Sequence, residues 1–493
     1  MRYSITLLIT FLYFNLCYSQ KQSNNWLFGE KAGLSFIDNK ILEIDNSQMS
    51  SIGATSSWSD ASTGDLLFYS NGAEVWNRNH RIMPNGIQLG GTIYSTNTSY
   101  VVPAPGNLKK YYLFTINTPE FSTEIPFRQS SIHYSIINMS LAEGYGDVET
   151  SQKHILLSDS VTEKIAAIPH ANEKDYWIIL HGVDNNLFKI YLLSENGILL
   201  HQTISVGQIH KYNLTELQGH MKASPDNGML AVTLRQTDET GKLAVSAPFE
   251  IFDFNNKTGV ISNPRSLGNY ALQYGVSFSP NSEILYLHGF ADSGINQGDL
   301  LYQFDLTSPE PAKSRIGLLR NNSEAKDYYG LANISLQIGP DGKIYGAGNL
   351  SQNASVGVNS LLVINNPNEI GKDSHVTINS LDWTDKRIGI DLPNYIQSLF
   401  RGLTPTNNPT IPCDSEMNFK IGPNPNEGII NISVTESCFE PYYCTIYNSL
   451  GQLLIRRYIK DQSTIFNIDF LSAGCYFIII ENQAQVVRKI ILN

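Results

Sequence analysis

The sequence predicts an all-β chain: a seven-bladed β-propeller followed by a small Ig-like β-sandwich. Three observations carry that expectation. Aromatics reach 11%, with 26 Tyr and 21 Phe beside 37 Gly, a mixture suited to twisted strands and tight turns. A turn motif recurs at Ala223-Ser224-Pro225-Asp226-Asn227-Gly228, Phe278-Ser279-Pro280-Asn281-Ser282 and Ile338-Gly339-Pro340-Asp341-Gly342, with Pro-to-Pro spacings of 55 and 60 residues. Each turn leads into two apolar runs: Met229–Val232 then Phe249–Phe254, Ile284–Leu287 then Leu301–Leu306, and Lys343–Gly346 then Leu361–Asn366. Pro presets the first turn position, and Asp or Asn with Gly tolerates the next, as a strand reversal requires.

Charge narrows the function classes. Only 16% of the residues are charged, against about 25% in ordinary domains, and the net is −11. That balance argues against a nucleic-acid surface, and the composition disfavours both a helical bundle and a disordered chain.

Residues 1–19 read as a signal peptide. Arg2 supplies the positive start, Ile5 to Leu16 the apolar core, and Cys17, Tyr18 and Ser19 a cleavage site before Gln20. The core is shorter than the ~20 residues a membrane span needs, and a lipoprotein reading of Cys17 is opposed by bulky Leu16. No transmembrane segment is expected in the remainder.

Residues 24–401 are assigned to the propeller. Degenerate units precede the three clear ones: Ala166–His170, Tyr176–Leu180 and Leu187–Tyr191; Tyr100–Pro103, Tyr111–Phe114 and Ile132–Ser135; Ile52–Thr55, Leu66–Tyr69 and Ala73–Trp76. A seventh blade joins the ends, with Pro393–Phe400 as the inner strand and Trp26–Phe28 and Gly33–Ile37 as the second and third. The resulting period of about 54 residues is long beside a typical propeller blade of ~40–50. Six or eight blades, or a β-helix, are the alternatives. Closure would also protect strand edges.

The runs Gly64-Asp65-Leu66-Leu67-Phe68-Tyr69-Ser70-Asn71-Gly72, Lys222-Ala223-Ser224-Pro225-Asp226 and Leu392-Pro393-Asn394-Tyr395-Ile396-Gln397-Ser398 resemble WD-repeat-like propellers of exported Bacteroidetes proteins. The resemblance implies the propeller fold and brings no settled activity.

Residues 402–417 are a spacer rich in Pro and Thr, and residues 418–493 form a new unit. Its motifs Pro423-Asn424-Pro425-x-x-Gly428, Tyr447-Asn448-x-x-Gly451, Leu471-x-x-Gly474-x-Tyr476 and terminal Arg488-Lys489-Ile490-Ile491 are similar to the C-terminal sorting domain of the type IX (Por) secretion system. Gly422 departs from the pattern, standing where an aromatic usually precedes the first Pro. The resemblance implies the type IX machinery as partner, export across both membranes of a Bacteroidetes cell, and surface attachment or release.

Without the signal peptide four cysteines remain, all in the last 81 residues: Cys413, Cys438, Cys444 and Cys475. Their clustering in an exported chain suggests disulfides. The turn at Glu440-Pro441 favours Cys438 with Cys444, leaving Cys413 with Cys475; zinc is the alternative, opposed by the absence of C-x-x-C.

Catalytic patterns are sparse. The sequence has no H-E-x-x-H, no acidic Ca²⁺ loop, no G-x-S-x-G elbow and no phosphate-binding loop, so no catalytic residue, metal or cofactor is assigned. Polar residues on inner strands would line a channel and are the ligand candidates: Lys164, His170, His220, Lys222, Tyr274, Asn394 and Gln397. Lys222 stands out, because a charge on an inner strand needs water or a partner. The expected function is an exported cell-surface or secreted binding protein, with a glycan, peptide or surface protein as ligand. The alternatives are a polysaccharide hydrolase or lyase with carboxylates drawn from several blades, and an envelope scaffold without a ligand.

Overall fold

The computed structural model describes residues 21–37, 40–118, 130–236, 245–291, 299–320, 333–348, 360–380, 386–405, 419–434, 442–459, 463–481 and 485–493. The expected signal peptide, most of the spacer, Cys413 and Cys438 lie outside these residues. Strands account for 56% of the structure and helices for 6%, so sheets alone build the core.

Seven antiparallel sheets follow one another among the described residues between Asn25 and Ser380, each a meander whose strands pair in chain order, except that in the third both Asp147–Val148 and Ile155–Asp159 pair with Ser131–Asn138. Their first strands are Asn25–Phe28, Ser56–Ser59, Ser99–Pro103, Val161–Pro169, Met221–Ala223, Val276–Phe278 and Ile334–Ile338. The first sheet has three strands, Asn25–Phe28, Ala32–Ile37 and Lys40–Glu43, and the others have four or five. Phe290–Ala291 leaves the sixth sheet to pair with the edge of the fifth.

The three repeated turns share one geometry. Asn227, Ser282 and Gly342, each two residues after its Pro, have φ of 68°, 65° and 77°. Their N–H groups donate to Ser224, Ser279 and Gly339 carbonyls at 2.9–3.0 Å. This is a type I turn closed by a left-handed residue; the Gly339 hairpin closes onto Lys343 over three residues, and the other two, Ser224 onto Met229 and Ser279 onto Ile284, over four.

Aromatic side chains weld neighbouring sheets. Phe68 packs on Tyr111 between the second and third sheets, Phe188 on Phe252 between the fourth and fifth, and Phe249 on Phe304 between the fifth and sixth. The last sheet meets the first: Tyr345 packs edge-on against Trp26 at 5.5 Å and Phe36 at 5.7 Å. The unit is therefore propeller-like, with end-to-end closure made by side-chain packing.

That closure differs from the expected one. Residues 393–400 do not form an inner strand: residues 391–396 carry no regular secondary structure and Gln397–Phe400 is a 3₁₀ turn. Asn25–Phe28 already lies beside Ser56–Ser59, with the Ser57 and Thr55 hydroxyls donating to the Asn25 and Leu27 carbonyls. The later segment runs against both strands without joining either ladder: the Tyr395 hydroxyl reaches the Asn25 carbonyl at 3.1 Å and the Asn394 N–H the Thr55 carbonyl at 2.8 Å. In the second sheet the inner strand is Ser56–Ser59, just beyond the expected Ile52–Thr55.

The tail forms two sheets, one of three strands (Phe419–Gly422, Ile429–Val434, Ser463–Asn467) and one of four (Leu453–Ile459, Tyr442–Asn448, Gly474–Glu481, Gln485–Leu492). Ile430, Ile432 and Phe466 of the first share a core with Ile446, Ile478 and Ile490 of the second. The expected partners of Cys444 and Cys475, Cys438 and Cys413, lie outside the described residues; Cys444 and Cys475 are not bonded to each other. Cys444 sinks into this core opposite Ile480, and burial pushes its thiol up to about 12. On Gly474–Glu481 the core takes Tyr476, Ile478 and Ile480. The alternation of a strand puts Cys475 on the opposite face, away from Cys444.

Candidate functional site

Polar residues on or just before the first strands of several sheets converge on one another. The segment 391–397 runs among them. Asp391 is fully buried, and its carboxylate accepts from His220 Nε2 at 2.9 Å and from the Tyr274 hydroxyl at 2.6 Å. The carboxylate fixes the proton on His220 Nε2. Burial lowers the His220 pKa against the pull of Asp391, while burial and the Asp391 charge together drive Tyr274 well above the phenol range.

Lys222 follows on the fifth sheet. Its ammonium donates to Gln337 Oε1 at 2.6 Å and to Asn394 Oδ1 at 3.4 Å. Burial lowers its pKa to about 7, opposed by the nearby Asp391 charge. The Asn394 amide passes the network on, donating to Asn97 Oδ1 at 2.7 Å, and Asn97 in turn donates to the Glu163 carbonyl at 2.7 Å. The Glu163 carboxylate accepts from the Thr96 N–H at 2.6 Å and the Thr118 hydroxyl at 2.7 Å, and burial raises its pKa. Gln397 donates to Gln337 Oε1 at 3.3 Å and to the Tyr395 carbonyl at 2.8 Å.

Lys164 has a separate role. Its ammonium donates to the Glu216 and Leu217 carbonyls at 3.1 and 3.2 Å and also to Gln218, capping the short helix Leu214–Leu217. A cation at a helix C-terminus is favoured by the orphan carbonyls there. Burial brings its pKa down to about 7, with Glu163 and Glu216 opposing.

Of the seven residues singled out in the sequence, His220, Lys222, Tyr274, Asn394 and Gln397 therefore meet in one buried network, with Lys164 beside it. His170 is not among them. It lies past the far end of Val161–Pro169, its ring tilted against Trp177 at 5.1 Å. Sequence reasoning missed Asp391, Gln337, Asn97 and Glu163. The Lys164 choice carried the one usable signal, since a buried cation on Val161–Pro169 calls for a nearby carboxylate.

The tail motif residues are turn and clasp residues. Gly428 has φ 93°, and a Cβ there would meet Asp469 at 2.7 Å. Asn424 clasps the last strand, accepting from the Ile491 N–H at 2.8 Å and donating to the Lys489 carbonyl at 2.9 Å. Gly451 (φ 76°) closes a turn onto Asn448, and the Tyr476 hydroxyl donates to the Ser472 carbonyl at 2.6 Å. Pro423 and Pro425 flank Asn424; Gly474 and Arg488 lie within the paired strands Gly474–Glu481 and Gln485–Leu492.

No curated protein matches the sequence. Among solved structures, PorZ of the type IX secretion system of Porphyromonas gingivalis aligns at 10% identity and TM-score 0.33, over 94% of this chain and 69% of that one. The GH74 enzyme of Niastella koreensis aligns at 10% identity and TM-score 0.40, over 84% and 56%. A protein from Lactobacillus plantarum aligns at 12% identity and TM-score 0.35, over 84% and 98%. No helix among the described residues is long and apolar enough to cross a membrane. Residues 420–493 match the secretion system C-terminal sorting domain family, so the chain carries a type IX sorting domain that directs it to the cell surface or into the medium.

Proposed function

We propose that the protein is a seven-bladed, WD-repeat-like propeller, each sheet of residues 25–380 forming one blade, exported to bind a partner. The Ig-like tail delivers it. The ligand is a glycan, a peptide or a surface protein, taken on the face where the first strands of the second to seventh sheets begin.

The observation that carries this reading is the occupancy of the axis. The polar groups that would act on a substrate bond to one another and to residues 391–397 instead. Two axial carboxylates, Asp391 and Glu163, are buried, and each accepts two hydrogen bonds. That arrangement favours binding over hydrolysis or lyase chemistry. Recognition then falls to the connections. In a four-stranded meander the second-to-third and sheet-to-sheet connections share one end. The strands that end at Asn117, Val232, Arg320 and Gly348 and those that begin at Ser131, Ala247, Ile334 and Ser360 open toward it, and most of the residues between them lie outside those described. The opposite end mostly carries short turns, such as Ala223 to Met229 and Ser194 to Gly197. Asp305 to Ile316 and Ile364 to Val376 are the exceptions. Loops on a rigid scaffold are where binding residues concentrate.

A glycan array and a polysaccharide-degradation screen on residues 20–405 test the reading. Saturable binding without release of sugar supports it, and turnover of any polysaccharide overturns it.

A further inference from the structure

The segment from Asp391 to Gln397 is held as a ligand is held. It is not paired along a sheet edge; side chains from several sheets reach in to it. Asp391 is gripped by His220 and Tyr274 of the fifth and sixth sheets. Asn394 donates its N–H to the Thr55 carbonyl at 2.8 Å, and its side chain bonds Asn97 and Lys222. The Tyr395 hydroxyl meets Ser57 at 2.7 Å and the Asn25 carbonyl at 3.1 Å, while its own carbonyl accepts from the Tyr100 hydroxyl at 2.7 Å. Its ring stacks 6.2 Å from Trp26. Gln397 reaches Gln337 of the seventh sheet.

The segment also passes right through. Before it, Arg387 pairs with Glu30 at the first sheet, and Lys386 is bound to Glu43 and Asp45. After it, the Gly402 N–H donates to Pro280 at 2.9 Å, in a turn at the opposite end of the sheets. Pro393 in its middle lacks the N–H a central strand position needs and pre-orders an extended peptide.

We propose that the axis is a peptide-binding site, occupied in cis by Asp391–Gln397. The ligand it recognises is an extended peptide with a carboxylate, an amide three residues later, a phenol next to that amide and a second amide two residues further. Covalent attachment holds the resident segment at an effective concentration on the order of millimolar. A free peptide of the same chemistry therefore enters only when the resident one is released.

The test uses the full chain with a protease site inserted between Ser380 and Lys386. After cleavage, the fragment beginning at Lys386 should co-elute with the sheet fragment on gel filtration. A synthetic 386–403 peptide should displace it, and the same peptide carrying Asn394→Ala should be at least tenfold weaker. Immediate dissociation from a still-folded sheet fragment, or equal displacement by a scrambled peptide, overturns the proposal. If the insertion prevents folding, labelled 386–403 peptide is added to intact wild-type and Asn394→Ala chains. At least tenfold tighter capture by the variant supports the site, and equal or absent capture by both overturns it.

Discussion

Tyr274 donates its phenolic hydrogen to Asp391 at 2.6 Å across 117 residues of sequence, tying the start of the sixth sheet to a segment that follows the seventh. The same carboxylate holds His220 of the fifth. Removing the acceptor strands both donors in a dry site, which costs far more than removing one donor. Asp391→Ala should therefore destabilise by about 3–5 kcal/mol and Tyr274→Phe by about 1–3 kcal/mol. Urea unfolding of both variants and their double checks this; additive losses would mean the two groups do not act on each other.

Trp26 is fully buried where the first sheet meets the last, against Phe36, Tyr345 and Tyr395. Trp26→Ala should cost about 3–5 kcal/mol. A melting temperature equal to wild type would show that this contact does not hold the ends together.

Acid should loosen the fold. Burial lowers the pKa of His220 and His210, and it brings His181 to about 3 and His133 to about 4. These rings stay neutral when folded and take up protons near pH 6.5 when unfolded. The histidine contribution to stability is then full above pH 6.5 and falls as pH drops from there toward 3–4. The two buried lysines act in the alkaline range. Lys164 and Lys222 have folded values near 7, against 10.5 unfolded, so stability rises with pH between these limits. Urea midpoints from pH 4 to 10 should climb on both stretches, and Lys222→Met should flatten the second. A Lys222→Met profile identical to wild type would contradict the assignment.

The thiols give a direct count. Cys444 should resist a thiol reagent in the native protein and react only on unfolding, since it is buried and its pKa is raised. Rapid native labelling at Cys444, found by peptide mapping, would refute its placement in the core.

Export is tested by ending the chain after Pro412. Without residues 420–493 the protein should fold and accumulate in the periplasm, as fractionation would detect. Surface delivery of the shortened chain would mean that the tail is not its address.

What was legible in the sequence was local chemistry. Pro225, Pro280 and Pro340, each followed two residues later by a residue that tolerates positive φ, announce the same turn wherever they occur. The tail is legible for the same reason, since Gly428, Gly451 and Asn424 act on neighbours or on one facing strand. Residues 393–400 read as an inner strand because they supply the strand that Trp26–Phe28 and Gly33–Ile37 lack for a complete blade. Yet the backbone of residues 391–396 joins no ladder, and the segment is tied by side chains such as the Tyr395 hydroxyl, which bonds Asn25 some 370 residues earlier in the chain. His170 misled because Val161–Pro169 is long enough to start at the axis and finish in an outlying turn, leaving Lys164 at one end and His170 beyond the other. Gln337 and Asp391 carry no signal of their own, since their partners are assembled only by closure.

The route of residues 386–403 has a mechanical meaning. The segment enters beside the first sheet, traverses the middle and leaves near Pro280, where the chain continues toward the tail. Tension on the C-terminal side is thus delivered first to a drawbolt held by Tyr395, Asn394 and Asp391, in shear, and only afterwards to any sheet. A tethered copy would resist drag with its most deeply buried bonds, and withdrawing the bolt would unlock all the sheets it crosses at once.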